Sequence, residues 1–211
     1  MSSRETWFFT HACAHLAFLG VILSMGTAFA AEPRARDLGI PFPGTPGPLN
    51  AITDVAGVEV GYTTLIAGEG KLEVGKGPVR TGVTAVLPRG RKDLSGVFGG
   101  YAVGNGNGEM TGTIWIEESG IVGTPILITN THSVGVVRDA TIQWRIQHGE
   151  PDASGYWWSL PVVAETYDGH LNDINGFHVK PEHVFAALDS AHGGEIAEGN
   201  VGGGTGMICH E

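Results

Sequence analysis

From residue 52 onward the apolar positions fall in short runs with the length and β-branched content of strands, each closed by Gly, Pro or Asn. Residues 55–64, 82–87 and 97–103 read this way and predict three early strands. The spacing then changes. Residues 125–129 (PILIT) are again strand-like and lead through Asn130-Thr131-His132-Ser133 into VGVVRDATIQWRIQ, where Val134, Val137, Thr141 and Trp144 share one helical stripe. Ser133 stands where a side chain can cap the free amides that open this helix. Residues 160–165 are strand-like in turn, and Pro181 in a first helical turn opens PEHVFAALDSAH, which Gly193-Gly194 closes. Strands mixed with helices in this order predict an α/β layer fold. No internal repeat of fixed period is visible.

Both flanks of this patterned region look different from it. Residues 31–50 contain Pro33, Pro41, Pro43, Pro46 and Pro48, which fix extended backbone and exclude helix, so they predict an arm or entry loop. Before it, Arg4, an apolar run over residues 16–25 and the small-residue site Ala28-Phe29-Ala30 predict a secretory signal peptide over residues 1–30. The uninterrupted run is shorter than the roughly 20 residues that span a bilayer, and Glu5 offsets Arg4 in a weak positive region. The expected product is secreted or periplasmic, with no membrane association once the leader is removed. Residues 31–211 then read as a single domain.

Composition narrows the function classes. The chain has 211 residues, 42% of them hydrophobic and 16% charged, enough for one ordinary core. The 34 Gly against 11 Pro, without a collagen-like period, indicate tight turns and close backbone approaches rather than disorder. A formal net charge of −10 repels a phosphate backbone, which argues against nucleic acid as a partner. Of the two cysteines, Cys13 belongs to the leader and Cys209 is read as packing, so no disulfide framework is implied.

The glycine runs at 104–108 (GNGNG) and 201–207 (VGGGTGM) lack the full Walker or dinucleotide spacing and read as turns that approach other backbone closely. Seven of the nine His follow the leader, some beside acids (Asp168 and His170, Glu182 and His183), but no H-E-x-x-H or Cys/His quartet appears and no metal is expected. There is no G-x-S-x-G elbow, and no cofactor signature. The densest chemistry lies in SGYWWSLPVVAETYDGHLNDINGF. There Trp157 and Trp158 offer apolar faces, while Glu165 and Tyr167 stand two apart at a strand end and can share a side. A carboxylate in a cleft can hold a substrate ammonium, and a phenol can donate to an oxyanion. From the residues alone, a cleft edge and a core-plus-solvated-end reading stand side by side.

The runs RARDLGIPFPGTPGPLNAITDVAGVEVGYTT (34–64), RTGVTAVLP (80–88), AETYDG (164–169) and EGNVGGGTGMICHE (198–211) resemble, in the same order, the DmpA-type aminopeptidases. That family comprises L-aminopeptidase/D-amidases and β-peptidyl aminopeptidases. The resemblance implies a four-layer αββα sandwich of the DmpA and ornithine acetyltransferase type, incomplete in these residues, and a precursor that cuts itself to expose an N-terminal Ser nucleophile. It implies a short peptide or amino acid amide substrate, a second subunit from the same precursor, a homo-oligomer and no metal. Carried over by position, Glu165 would hold the substrate's amino group, Tyr167 would help stabilise the tetrahedral oxyanion, and Trp158 would stand at the pocket entrance. The nucleophile is expected beyond the GGGTGMICHE run, so none is assigned here. An ornithine acetyltransferase-like acyl transferase and a secreted binding protein for amino compounds are the alternatives. A chain supplying only part of two packed sheets is expected to leave an apolar face and strand edges uncovered.

Overall fold

The computed structural model describes residues 33–151, 153–155 and 158–208, so the leader, Trp157 and Cys209 lie outside the described residues. The strands are β1 (Glu59–Ala67), β2 (Val79–Leu87), β3 (Val97–Phe98), β4 (Ile121–Val122), β5 (Ile126–Asn130) and β6 (Val162–Thr166). The helices are α1 (Thr113–Ser119), α2 (Val134–His148) and α3 (Pro181–Asp189), with short 3-10 turns at Ile52–Asp54, Thr131–Ser133, Ile174–Gly176 and Gly202–Gly204. A four-stranded sheet runs in the order β1-β2-β5-β6, and β3 pairs with β4 in a separate ribbon. Its first two junctions are antiparallel, whereas β5 and β6 are parallel and joined through α2. Among the described residues no helix is long and apolar enough to cross a membrane.

One face of the sheet carries the core because its side chains alternate as the pleat requires. Ala85, Leu127 and Val163 form a cross-strand row that is fully buried beneath the helices. Against it α2 packs Val134, Val137, Ala140 and Trp144, and α3 packs Val184, Ala187 and Leu188. The predicted stripe of α2 is therefore its buried face. Trp144 Nε1 donates to Asp189 Oδ1 at 2.7 Å, tying the two helices together while satisfying the only polar atom of a buried indole.

The opposite face is met by glycine backbone. The amides of Gly202 and Gly203 donate to the hydroxyls of Thr64 and Thr84, at 2.9 and 3.0 Å. A Cβ on Gly203 would lie 2.5 Å from the carbonyl oxygen of Ile128, so only a residue without a side chain fits this contact. The 201–207 run is thus a close backbone approach, as its sequence suggests. A satellite cluster of Ile116, Val122 and Val162 seals one end of this face beneath α1 and the β3–β4 ribbon. Ile66 stays 56% exposed.

Several boundaries differ from the sequence expectation for physical reasons. β1 begins at Glu59 because residues 52–58 are taken up by a 3-10 turn and its exit. The run 97–103 pairs only over Val97–Phe98, since Gly99 and Gly100 break it and Phe98 is left 93% exposed. Helix α1 and strand β4 were not anticipated; each is too short to show a period. α3 ends at Asp189, short of the predicted Gly193-Gly194 stop, because residues 191–192 turn back and His192 bonds to Val60 of β1 in both directions at 3.0 Å. Ser133 makes no side-chain cap; it is buried inside a 3-10 turn that runs directly into α2. Replacing Gly203 with Ala is expected to cost about 1–3 kcal/mol of stability through overpacking against β5, read as a lower urea midpoint at unchanged slope.

Candidate active site

The parallel register sets Val83, Thr129 and Glu165 in one row on the core face, one step beyond the row of Ala85, Leu127 and Val163. In this row Val83 and Thr129 are fully buried, whereas Glu165 at its β6 end is half-buried. The chain leaving β5 turns at Thr131, whose hydroxyl donates to Glu165 Oε2. On the outer edge of β6 a segment in extended contact takes the place of a fifth strand. The amide of Glu165 donates to Glu109 O at 3.1 Å, Met110 bridges Ala164, and the amide of Thr111 donates to Val163 O at 3.0 Å.

This edge segment delivers the 104–108 glycine run directly over Glu165. Together the 101–110 loop, Thr113, Ala164 and Glu165 line an open cleft of about 470 Å³. A Cβ on Gly108 would stand 2.9 Å from Glu165 Oε1, whereas Gly104 and Gly106 face open space. The expectation of close backbone packing therefore holds at Gly108 and is corrected at Gly104 and Gly106, which are cleft wall. Asn107 N donates to Asn105 Oδ1 at 2.9 Å and shapes the loop's turn. No Ser or Cys lines the cleft among the described residues.

Tyr167 follows the last residue of β6, is 54% exposed, and sets its ring edge-on to His170 with centroids 5.4 Å apart. It lies outside the residues that line the cleft. Trp158 is 57% exposed and packs edge-to-face on Trp115 of α1, the helix that supplies Thr113 to the cleft. Among the described residues no three His, Cys, Asp or Glu side chains converge as metal ligands. His183 Nδ1 instead accepts the amide of Lys180 at 3.0 Å and helps to start α3.

Behind the strand end lies a buried polar cluster that the sequence did not single out. Asp168 is 2% exposed, and burial pushes its carboxyl above the ordinary range against hydrogen bonds from Thr81, Asn172, its own backbone and Asn130. Asn172 Nδ2 donates to Asp168 Oδ1 at 3.0 Å, and Asn172 Oδ1 accepts the amide of Arg80 at 3.0 Å. Asn130 Nδ2 donates to Thr81 Oγ1 at 2.8 Å. Thr81, Asn130 and Asp168 lie far apart along the chain, and only the strand order brings them together. In the sequence Asp168 stands out only as an acid near His170.

Comparison with known proteins agrees with this architecture. The chain is 53% identical to a Burkholderia sp. beta-aminopeptidase, with a TM-score of 0.74 over 84% of this chain and 48% of that one. It is 50% identical to the L-aminopeptidase D-Ala-esterase/amidase of Ochrobactrum anthropi, described as a prototype for the serine aminopeptidases and a variant of the Ntn hydrolase fold, with a TM-score of 0.75 over 84% of this chain and 49% of that one. The fold is thus that of an N-terminal nucleophile hydrolase of the DmpA type. Residues 50–211 match Peptidase family S58, and the chain belongs to that family. It is also 62% identical over 198 residues to the beta-peptidyl aminopeptidase BapA of Sphingosinicella microcystinivorans, covering 92% of this chain and 49% of the relative. The chain spans about half the length of the curated relatives it matches.

Beyond Asp168 the loop clasps the β1–β2 hairpin. Asp173 is 4% exposed and accepts the amide of Gly75 at 2.7 Å and His178 Nε2 at 2.9 Å. Burial pushes its carboxyl up, but the hydrogen bonds from His178, Gly75 and Gly77 outweigh it and hold the group below the ordinary Asp range. A depressed carboxyl contributes stability that is complete above its unfolded pKa of about 3.9 and is lost as pH falls through its folded value. The protection factor of the Gly75 amide is therefore expected to be high at neutral pH and to fall as pH drops through the folded value. In Asp173→Asn this acid-induced loss of protection is expected to vanish, with protection already low at neutral pH.

Proposed function

We propose that these residues form the substrate-binding front of an aminopeptidase that releases N-terminal residues, β-amino acids among them, from short peptides, amides or esters. The observation that carries the reading is Glu165. Its Oε2 is held by Thr131 and its Oε1 faces the cleft beside Gly108, with no hydrogen-bond donor to Oε1 among the described residues. A half-buried carboxylate fixed on one oxygen and free on the other suits a substrate ammonium, since a charge-assisted bond gains strength where water is partly excluded. The beta-peptidyl aminopeptidase name of the relatives supports the same assignment.

The nucleophile, an N-terminal Ser exposed by self-cleavage, comes from a segment outside these 211 residues, which pairs with them as the second subunit. The absence of Ser and Cys from the described cleft lining and the half-length match to the relatives support this division. Tyr167, exposed two residues beyond Glu165, donates to the oxyanion of the tetrahedral intermediate. Trp158 forms the outer wall of the entrance. The leader-like residues 1–30 support export to the periplasm or medium, and the family resemblance supports assembly into a homo-oligomer.

In the full-length processed protein, Glu165→Gln removes the charge and keeps the shape. KM for a β-aminoacyl p-nitroanilide is expected to rise at least about tenfold, while KM for a matched p-nitrophenyl ester without the amine changes less than about twofold. Equal losses on the two substrates would contradict an ammonium site.

A further inference from the structure

Glu165 lies at the end of β6 and Tyr167 just beyond it, where strand ends ordinarily fray. Something must hold this end to the sheet if it is to place two functional groups. The residue between them and the following loop is Asp168, and the chain alternates sharply there, from a Tyr167 that is 54% exposed to an Asp168 that is 2% exposed. The buried carboxylate is therefore the first anchor after the site.

Three segments meet at this anchor. Thr81 belongs to β2 and Asn130 to the end of β5; Asn130 Nδ2 donates to Thr81 Oγ1 at 2.8 Å, and both side chains lie against the Asp168 carboxylate. Asn172, four residues on, donates to the carboxylate, and the amides of Leu171 and Asn172 donate to Asp168 O at 3.0 and 2.9 Å, closing a tight turn on the same residue. Asn130 turns its Nδ2 toward Thr81 and leaves its Oδ1 buried without a hydrogen-bond partner. An orphaned buried carbonyl is unfavourable, so the Thr81 hydroxyl is what fixes this amide. Asn130 is followed directly by Thr131, whose hydroxyl holds Glu165. One buried group thus reaches both functional side chains: Tyr167 through the adjacent peptide and Glu165 through Asn130 and Thr131.

We infer that Asp168 is a positioning residue for the amine-binding site, fixing the Glu165 carboxylate through Asn130-Thr131 and the Tyr167 phenol through the backbone, without touching substrate itself. This rests on Glu165 being the ammonium site. Asp168→Asn keeps the volume but turns one acceptor into a donor that faces the amides of Asn130 and Asn172. In the full-length processed protein, KM for a β-aminoacyl p-nitroanilide is expected to rise about tenfold with kcat lowered less than about threefold, while KM for the matched ester without the amine stays within about twofold. A purely structural role would move both substrates alike.

Thr81→Val, which removes the hydroxyl that holds Asn130 Nδ2 and removes no charge, is expected to give a smaller selective rise in KM of about threefold. Thr81→Ser, which keeps the hydroxyl, restores the parent value. Should Asp168→Asn fail to fold or to process, the Thr81 pair decides. Equal changes on the two substrates, or no change in Thr81→Val, would overturn the inference. Glu165→Gln measured alongside separates the two claims: if it is amine-selective and the Asp168 and Thr81 variants are not, only the positioning role fails. If Glu165→Gln is itself not selective, the ammonium site fails and the positioning role with it.

Discussion

Because β5 and β6 run parallel, both strands release their chains at the same end of the sheet. The rest of the cleft follows from that. The chain leaving β5 must turn into α2 at once, which sets Thr131 beside the end of β6, and the register that pairs Thr129 with Glu165 sets the carboxylate within reach of the Thr131 hydroxyl. An antiparallel pair would have put the two chain exits at opposite ends. The outer edge of β6, which would otherwise offer unpaired amides, is covered by residues 109–111, and the same contact carries the glycine run over the carboxylate.

The two faces of the sheet are covered by different means. On the helical face, branched and aromatic side chains interlock and supply the apolar burial that stabilises the fold. On the other, Gly202–Gly204 lies so near the strands that threonine hydroxyls meet its amides directly. Thr166 Oγ1 completes the contact by donating to Gly203 O at 2.7 Å, so the glycine segment is linked to the residue beside Glu165. Polar hydrogen bonds thus join apolar packing in holding the site end of the sheet. Such an arrangement gives defined geometry where apolar contacts alone would let side chains shift.

Much of the fold could be read from the chain because its signals were local. The stripe of Val134, Val137 and Trp144 and the Pro181 start of α3 depend on neighbours in sequence, and both elements formed where the spacing placed them. Glu165 was also visible, as an acid at the end of an apolar strand. What could not be read was non-local. Thr81, Asn130 and Asp168 meet only because β2, β5 and β6 are adjacent, and Gly104 and Gly106 line a cleft rather than packing closely because residues 109–111 happen to take the sheet edge. Helix α1 and strand β4 are too short to announce themselves by periodicity. Ser133 had the right residue type for a cap but was drawn into a 3-10 turn.

Membership of Peptidase family S58 and the DmpA-type fold agree with a cleft built around one fixed carboxylate. The account turns on where a substrate's amino group binds. A crystal structure of the full-length processed protein with a β-amino acid bound tests this directly. The account predicts the amino nitrogen within hydrogen-bond distance, roughly 2.7–3.2 Å, of Glu165 Oε1, beneath the 104–108 loop. An amino group seated elsewhere, with Glu165 bonded to Thr131 alone, would contradict it.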